Sequence, residues 1–199
     1  MPPEERRRAI LDAAVRVFAR KGAHATRVGD IAAEAGVSHG LLYHYFSSKD
    51  EVLETVIADA WGRLVDALRM VVDGDAEPDD KLRHVVVILL RSWRFEPDAV
   101  RVLVREVGRG PKLEAHVDEV RDAFHSIRAV VEEGQTRGVF RKDVDARQAS
   151  WVVYGAVEEL LTGWALGTLP GGEEDVARAE QTVVAVVCGG LAVRAVSTA

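Results

Sequence analysis

The 199 residues are 48% hydrophobic and 29% charged with a net charge of -6, which allows a sizeable buried core and argues against a wholly basic nucleic-acid binder. One cysteine, Cys188, excludes an intramolecular disulfide, and the longest apolar run, the eleven residues Val183 to Val193, is well short of the roughly 20 that span a bilayer. The start MPPEERRRAI has charge without the apolar core of a signal peptide, so a cytoplasmic location with no membrane partner is expected.

Apolar positions recur at helical spacing almost throughout, and no alternating strand pattern competes, so the expected fold is all-α with about nine helices. Helix one is predicted from Glu4 to Lys21, with Ile10, Ala13, Ala14, Val17 and Phe18 on one face and Gly22 as its stop. A short helix over Val28 to Glu34 is followed by Gly36, which can take the positive φ of a tight reversal. Ser38 then caps a third helix reaching Phe46. Ser48 and Glu51 have capping-box spacing, which starts a fourth helix at Lys49 that continues to about Val72. The turn-rich DGDAEPDD separates it from longer helices over Asp80 to Phe95, from Pro97 onward, and over Lys112 to Arg137, the last two divided by GRGP. Asp145 with Gln148 opens a helix to Leu166, and a final helix is predicted from Glu174 to about Val196. The expected organisation is a small three-helix domain over 1–48 and a larger domain over 49–199, connected by the helix of 49–72.

Charge and periodicity single out the third helix. Residues 1–50 hold 8 Lys+Arg against 6 Asp+Glu, while the remainder holds 18 against 26, so a polyanion would meet the N-terminal segment. In AGVSHGLLYHYF, Ala35 to Phe46, Leu42 and Phe46 are four apart and should face inward, leaving His39 with Tyr43, and Gly40 with His44, as outward pairs. A helix, a glycine-containing turn and a second helix with outward donors is a helix-turn-helix, whose second helix enters the major groove. Tyrosine hydroxyls and imidazoles can donate to phosphates, histidine can also reach base edges, and Gly40 admits close backbone approach.

AHATRVGDIAAEAGVSHGLLYHYFSSKDEVL, Ala23 to Leu53, resembles the DNA-binding segment of TetR-family transcriptional regulators in the spacing Ile31-Ala32, Gly36-Val37-Ser38, Gly40, Tyr43, Phe46, Lys49. The resemblance implies that Ser38, His39, Leu41, Tyr43, His44 and Tyr45 lie at or near an operator duplex, and that Lys49 contacts a phosphate. It also implies a homodimer whose C-terminal domains bind a small effector. Two positions depart from the family's commonest pattern. Arg27 stands where a Ser or Thr cap is usual, with Thr26 one residue earlier, and is either a phosphate contact or a solvated side chain. Leu41 stands where Thr or Ser is frequent, and it can pack on a thymine methyl instead of hydrogen-bonding a base.

The last two helices, with VVYGAVEELLTGWALG and TVVAVVCGGLAVRAV, are apolar on more than one face and carry Gly155, Ala156, Ala185, Gly189 and Gly190 for close approach. Two such helices from each of two subunits would form a four-helix homodimer interface. Trp93, Phe95, Phe124, Ile127, Trp151, Tyr154, Leu161 and Trp164 suit the lining of a hydrophobic effector pocket and equally suit an ordinary core. Arg101, Arg105 and Arg109 recur every four residues, either as a holder of a phosphate-bearing group or as a solvated face paired to nearby acids. The stretch Glu132 to Gly167 is similar to the acyl-CoA-responsive repressors of fatty-acid degradation within the TetR family, with Glu158-Glu159 and Trp164 at that group's acidic pair and tryptophan. That similarity implies an acyl chain in the apolar core and the arginines on the CoA phosphates; the alternatives are a different hydrophobic effector, or a helical interaction protein that does not bind DNA. The histidines at 24, 39, 44, 84, 116 and 125 form no metal-binding or nucleophile motif, so neither an enzyme nor a cofactor or metal site is expected.

Overall fold

The computed structural model describes residues 2–108 and 117–193, with only the backbone for 107–108 and 117–120. Among these residues are nine α-helices: α1 (Pro3–Lys21), α2 (Val28–Ala35), α3 (His39–Tyr45), α4 (Lys49–Val72), α5 (Pro78–Phe95), α6 (Pro97–Leu103), α7 (Val117–Thr136), α8 (Ala146–Leu166) and α9 (Glu173–Leu191). A π-helical turn, Val104–Gly108, continues α6. The start predicted for the seventh helix, 112–116, lies outside the described residues. No helix is long and apolar enough to cross a membrane among them.

The boundaries follow from local chemistry. The Ser38 hydroxyl accepts from the Leu41 N–H at 3.2 Å, and the Asp145 carboxylate from the Gln148 N–H at 2.8 Å, so both expected caps form. Ser48 Oγ likewise accepts from the Glu51 N–H, whereas the Glu51 carboxylate takes the N–H and hydroxyl of Ser47, one residue short of a reciprocal box. The last described helix stops at Leu191, not near Val196. There the chain turns extended and pairs with the α7–α8 connection: Leu191 accepts from the Arg141 N–H, and Phe140 bridges Ala192.

The chain divides into two compact units, one of Met1–Arg63 with Glu96–His116, the other of Leu64–Phe95 with Val117–Ala199. In the first of these units α6 packs on α1. In this first unit α1 buries Ile10, Ala13, Ala14, Val17 and Phe18 against Ile31 and Ala32 of α2. Alanines at the contact let the two helices approach closely. In the second unit, α5 packs on α7, α8 and α9 through Leu82, Val85, Val86, Leu89, Leu90 and Trp93.

Buried charges in the second unit are paired, as a low-dielectric core requires. Lys81, only 4% exposed, donates to the Val72 carbonyl at the end of α4 and to Glu133 of α7, each at 2.8 Å. The Lys81 ammonium, with help from Arg137, holds the Glu133 carboxyl below the usual carboxylate range. Arg137 Nη2 in turn donates to both carboxylate oxygens of Glu77, and Arg91 of α5 grips the buried Glu180 of α9 as a fork, Nε on one oxygen and Nη2 on the other.

Gly134 shows how tightly α7 is packed: a Cβ there would lie 2.1 Å from the buried Phe140 ring. Alanine normally favours a helix interior over glycine by about 1 kcal/mol, but here the clash dominates. Gly134→Ala should lower the unfolding free energy by about 1 to 3 kcal/mol in urea titrations. Gly62→Ala on α4, where a Cβ meets nothing within 4 Å, should leave it unchanged or raise it.

Candidate functional site

The reversal between α2 and α3 is closed by Gly36, whose φ of 66° lies in the left-handed region, with the Val37 N–H donating back to Ala32 O at 2.9 Å. Leu42 and Phe46 are 0% and 1% exposed and seat α3 on the first unit's core. Tyr43 is 52% exposed, and His39, Gly40 and His44 also face solvent, while Leu41 and Tyr45 are half-buried. His44 meets Tyr45 edge-on with ring centroids 5.3 Å apart. The outward face expected on the third helix is present.

Three contacts refine it. A Cβ on Gly29 would come within 2.8 Å of His39 Nε2, so the imidazole leans over the first turn of α2. The Arg7 guanidinium stands 5.2 Å from the centroid of the Phe46 ring, placing a cation from α1 beside the end of α3. Nothing in the helical spacing pointed to Arg7. At Lys49 the ammonium donates to the carbonyls of Ala23 (2.7 Å) and Thr26 (2.9 Å), so two of its three N–H groups tie the α1–α2 connection to the start of α4. Thr26, 2% exposed, closes that connection from inside through a bond to Gly22 O. Arg27 occupies the N-cap position of α2; its N–H is taken by Asp30 while its exposed side chain contributes no cap.

The acids of this unit are largely engaged. Lys21, and then the Arg27 N–H, hold the Asp30 carboxyl below its ordinary range. Arg16 and Arg20 do the same for Glu34, and the Ser47 hydroxyl and N–H for Glu51.

The residues expected at an effector separate into groups. In the second unit Phe124 packs against Trp151 (4.2 Å between centroids) and Tyr154 (4.5 Å), and burial, assisted by Glu158, pushes the Tyr154 hydroxyl's pKa up. A second pair, Trp93 and Trp164 at 6.1 Å, is fixed by the Trp93 indole N–H donating to Gly171 O. Ile127 is fully buried, and Leu161 and Glu158 are half-buried. Phe95 does not line a core: at the last position of α5 it is 77% exposed. Trp151, at 55% exposure, also presents much of its ring outward.

The arginine stripe is reassigned. Arg101 pairs with Asp98 at 2.8 Å and Arg105 donates to Ala19 O at 2.7 Å, both inside the first unit. Arg109 lies outside the described residues. Arg101 lies in α6 and Arg105 in the π-helical turn, both in the unit that contains α1. Among the described residues no group of His, Cys, Asp and Glu has a metal-binding arrangement.

Lys49→Ala should destabilise the first unit by about 1 to 3 kcal/mol, because it strips two part-buried carbonyls of their donor. Arg27→Ala, at an exposed side chain, should stay within about 0.5 kcal/mol of wild type. Paired thermal melts check the contrast.

Two family models match the chain: bacterial regulatory proteins of the tetR family over residues 10–56, and a tetracyclin repressor-like C-terminal domain over residues 75–191. The HTH-type transcriptional repressor KstR2 of Mycolicibacterium smegmatis is 29% identical over 195 residues, covering 95% of this chain and 92% of the relative. Among solved structures, the fatty acid degradation regulator FadR from Bacillus halodurans superposes with a TM-score of 0.81 at 25% identity, covering 98% of this chain and 99% of that one. FadR from Bacillus subtilis, in complex with stearoyl-CoA, shares the fold with a TM-score of 0.78 at 22% identity, covering 92% and 98%.

Proposed function

The chain belongs to the TetR family of bacterial regulatory proteins, and from that premise we propose that it is a cytoplasmic repressor that binds a near-palindromic operator as a homodimer and is released by a hydrophobic effector such as a long-chain acyl-CoA, whose acyl chain is the apolar part. The observation that carries the DNA reading is the solvent-facing side of α3, where Gly40, Tyr43 and His44 stand outward above the buried Leu42 and Phe46. The N-terminal residues of such a helix reach base edges, while donors around it grip phosphates. Ser38, His39 and Leu41 fall in the first turn of α3, and Tyr45 stands at the last position of the helix. Arg27 supplies a phosphate contact, and Lys49 keeps one N–H for the same purpose. Selection of duplexes from a random pool by the purified protein is the test: two half-sites about one helical turn or a multiple apart are expected, and recovery of no enriched sequence would sink the reading. Within the selected site, His44→Ala should alter base preference, whereas Tyr43→Phe should weaken all sequences alike.

The homodimer is supported by the outer faces of α8 and α9. Trp151, Val152 and Val186 are 55%, 67% and 68% exposed, and Gly155, Ala185, Gly189 and Gly190 are exposed beside them. A partner subunit would cover such apolar surface. A Cβ at Gly189 meets nothing within 4 Å in the single chain. Gly189→Trp should therefore leave the subunit folded, with wild-type helical circular dichroism, yet sediment as a monomer where the wild type sediments as a dimer at micromolar concentration. A monomeric wild type would count decisively against this arrangement.

The acyl-CoA reading draws on the likeness to a fatty acid degradation regulator and on the two aromatic clusters of the second unit, which offer apolar contact to an acyl chain. Titration with stearoyl-CoA and, beside it, stearate should give heat with the former, and the operator should weaken that binding by the factor by which stearoyl-CoA weakens operator binding, about 5- to 150-fold. Absence of heat with stearoyl-CoA, or equal affinity with and without operator, would leave a different hydrophobic effector as the better reading.

A further inference from the structure

The connection between α1 and α2 is held from two sides. Lys49 holds it from α4; the second grip comes from the π-helical turn after α6. Arg105 donates from Nη1 to Ala19 O at 2.7 Å, and the Ala23 N–H donates to Glu106 Oε1 at 3.1 Å. The two bonded backbone groups flank Gly22, the residue at which α1 stops. A cation on a carbonyl in the last turn of a helix and a carboxylate on a free N–H just beyond it are each charge-assisted, and each satisfies a backbone group that helix termination leaves without an intrahelical partner.

We propose that Arg105 and Glu106 are positioning residues for operator binding: together they latch the α1–α2 connection and so set the pose in which α2 and α3 meet DNA. This rests on the DNA-binding reading above. Neither residue needs to touch the duplex. The connection they hold leads directly into α2, and α2 carries Gly29, on which the His39 imidazole leans. Looseness at Ala19–Ala23 is therefore passed to the recognition helix through packed contacts. The π-helical geometry matters to the pair. Adjacent residues of an α-helix diverge by about 100°, and π-turns are local departures that occur frequently at functional sites. Rewinding Val104–Gly108 into a regular α-helix would rotate both side chains and break at least one of the two bonds.

Glu106→Gln keeps an oxygen acceptor and serves as the conservative control for Glu106→Ala; Arg105→Met keeps length without the donor. Two readouts are used. Amide hydrogen exchange on the full-length protein without DNA should show Ala23 exchanging about tenfold faster in Glu106→Ala, with Glu106→Gln near wild type, as expected when one charge-assisted hydrogen bond is lost. Titration with the duplex selected by the wild type, beside a mixed-sequence duplex, should show Glu106→Ala and Arg105→Met losing about tenfold in operator affinity while mixed-sequence affinity and the salt slope stay unchanged. Wild-type exchange at Ala23 in Glu106→Ala would overturn the latch whatever the DNA results. A salt slope reduced by about one in Arg105→Met would make Arg105 a phosphate contact and also overturn it. If the wild type selects no duplex, the DNA-binding reading fails, and the latch on operator pose fails with it even where the exchange result holds.

Discussion

The seating of α3 on two buried side chains is the constraint from which the rest of the N-terminal unit follows. A helix of seven residues is far below the roughly 12 to 15 that hold together alone in water, so His39–Tyr45 exists as a helix only because Leu42 and Phe46 are buried under it. Each contributes about 1.5 to 3 kcal/mol of apolar burial, comparable with the margin by which small domains are stable. With attachment concentrated in two positions four apart, Gly40, Tyr43 and His44 are released from packing duty. That division explains why large polar-tipped side chains can crowd into so short a segment without disturbing the core. His39 is the partial exception, since its ring also rests on Gly29.

Electrostatics sharpens the same division. The chain is net acidic, yet three acids of the N-terminal unit are engaged: Glu34 by two arginines, Asp30 by Lys21 and a backbone N–H, Glu51 by Ser47. Exposed pairs of this kind add little to stability, about 0 to 1 kcal/mol each. Their more important effect is local neutralisation. A polyanion approaching within a Debye length of about 8 to 10 Å senses nearby charges, not the sum over the chain. Arg7 beside Phe46 and the exposed Arg27 at the start of α2 add positive charge there.

Helix ends set by residues close in the chain were legible in the sequence, whereas the end of α9 at Leu191, fixed by pairing with Phe140 and Arg141, was not. Ser38, Ser48 and Asp145 act as N-caps within three residues of their partners, and Gly22 and Gly36 end α1 and α2 by local backbone geometry. The inward and outward faces of α3 were legible for the same reason. Contacts that join distant segments were not. Lys49 reads as a surface cation at a helix start until the fold brings the carbonyls of Ala23 and Thr26 beneath it, and Arg105 reads as one rung of a cationic stripe until α6 packs on α1. Backbone carbonyls carry no residue identity, so no pattern announces an acceptor. Phe95 failed differently: aromatic character predicts burial on average, but the end of α5 leaves its ring outside.

The longest element, α4, gives these contacts a mechanical meaning. Its 24 residues span about 36 Å at 1.5 Å per residue. At the N-terminal end Lys49 is bound to the turn that precedes α2; at the C-terminal end the Val72 carbonyl is bound by Lys81, itself locked to Glu133 of α7. Each end is thus fastened within its own unit, Lys49 to the α1–α2 connection of the first and Val72 to the Lys81–Glu133 pair of the second. Within the second unit the two aromatic clusters differ in the same respect: Trp93 is buried and fixed on Gly171 O beside Trp164, whereas Phe124 is half-buried against a Trp151 ring that presents much of its surface to solvent, so only the first pair is held from every side as a core is.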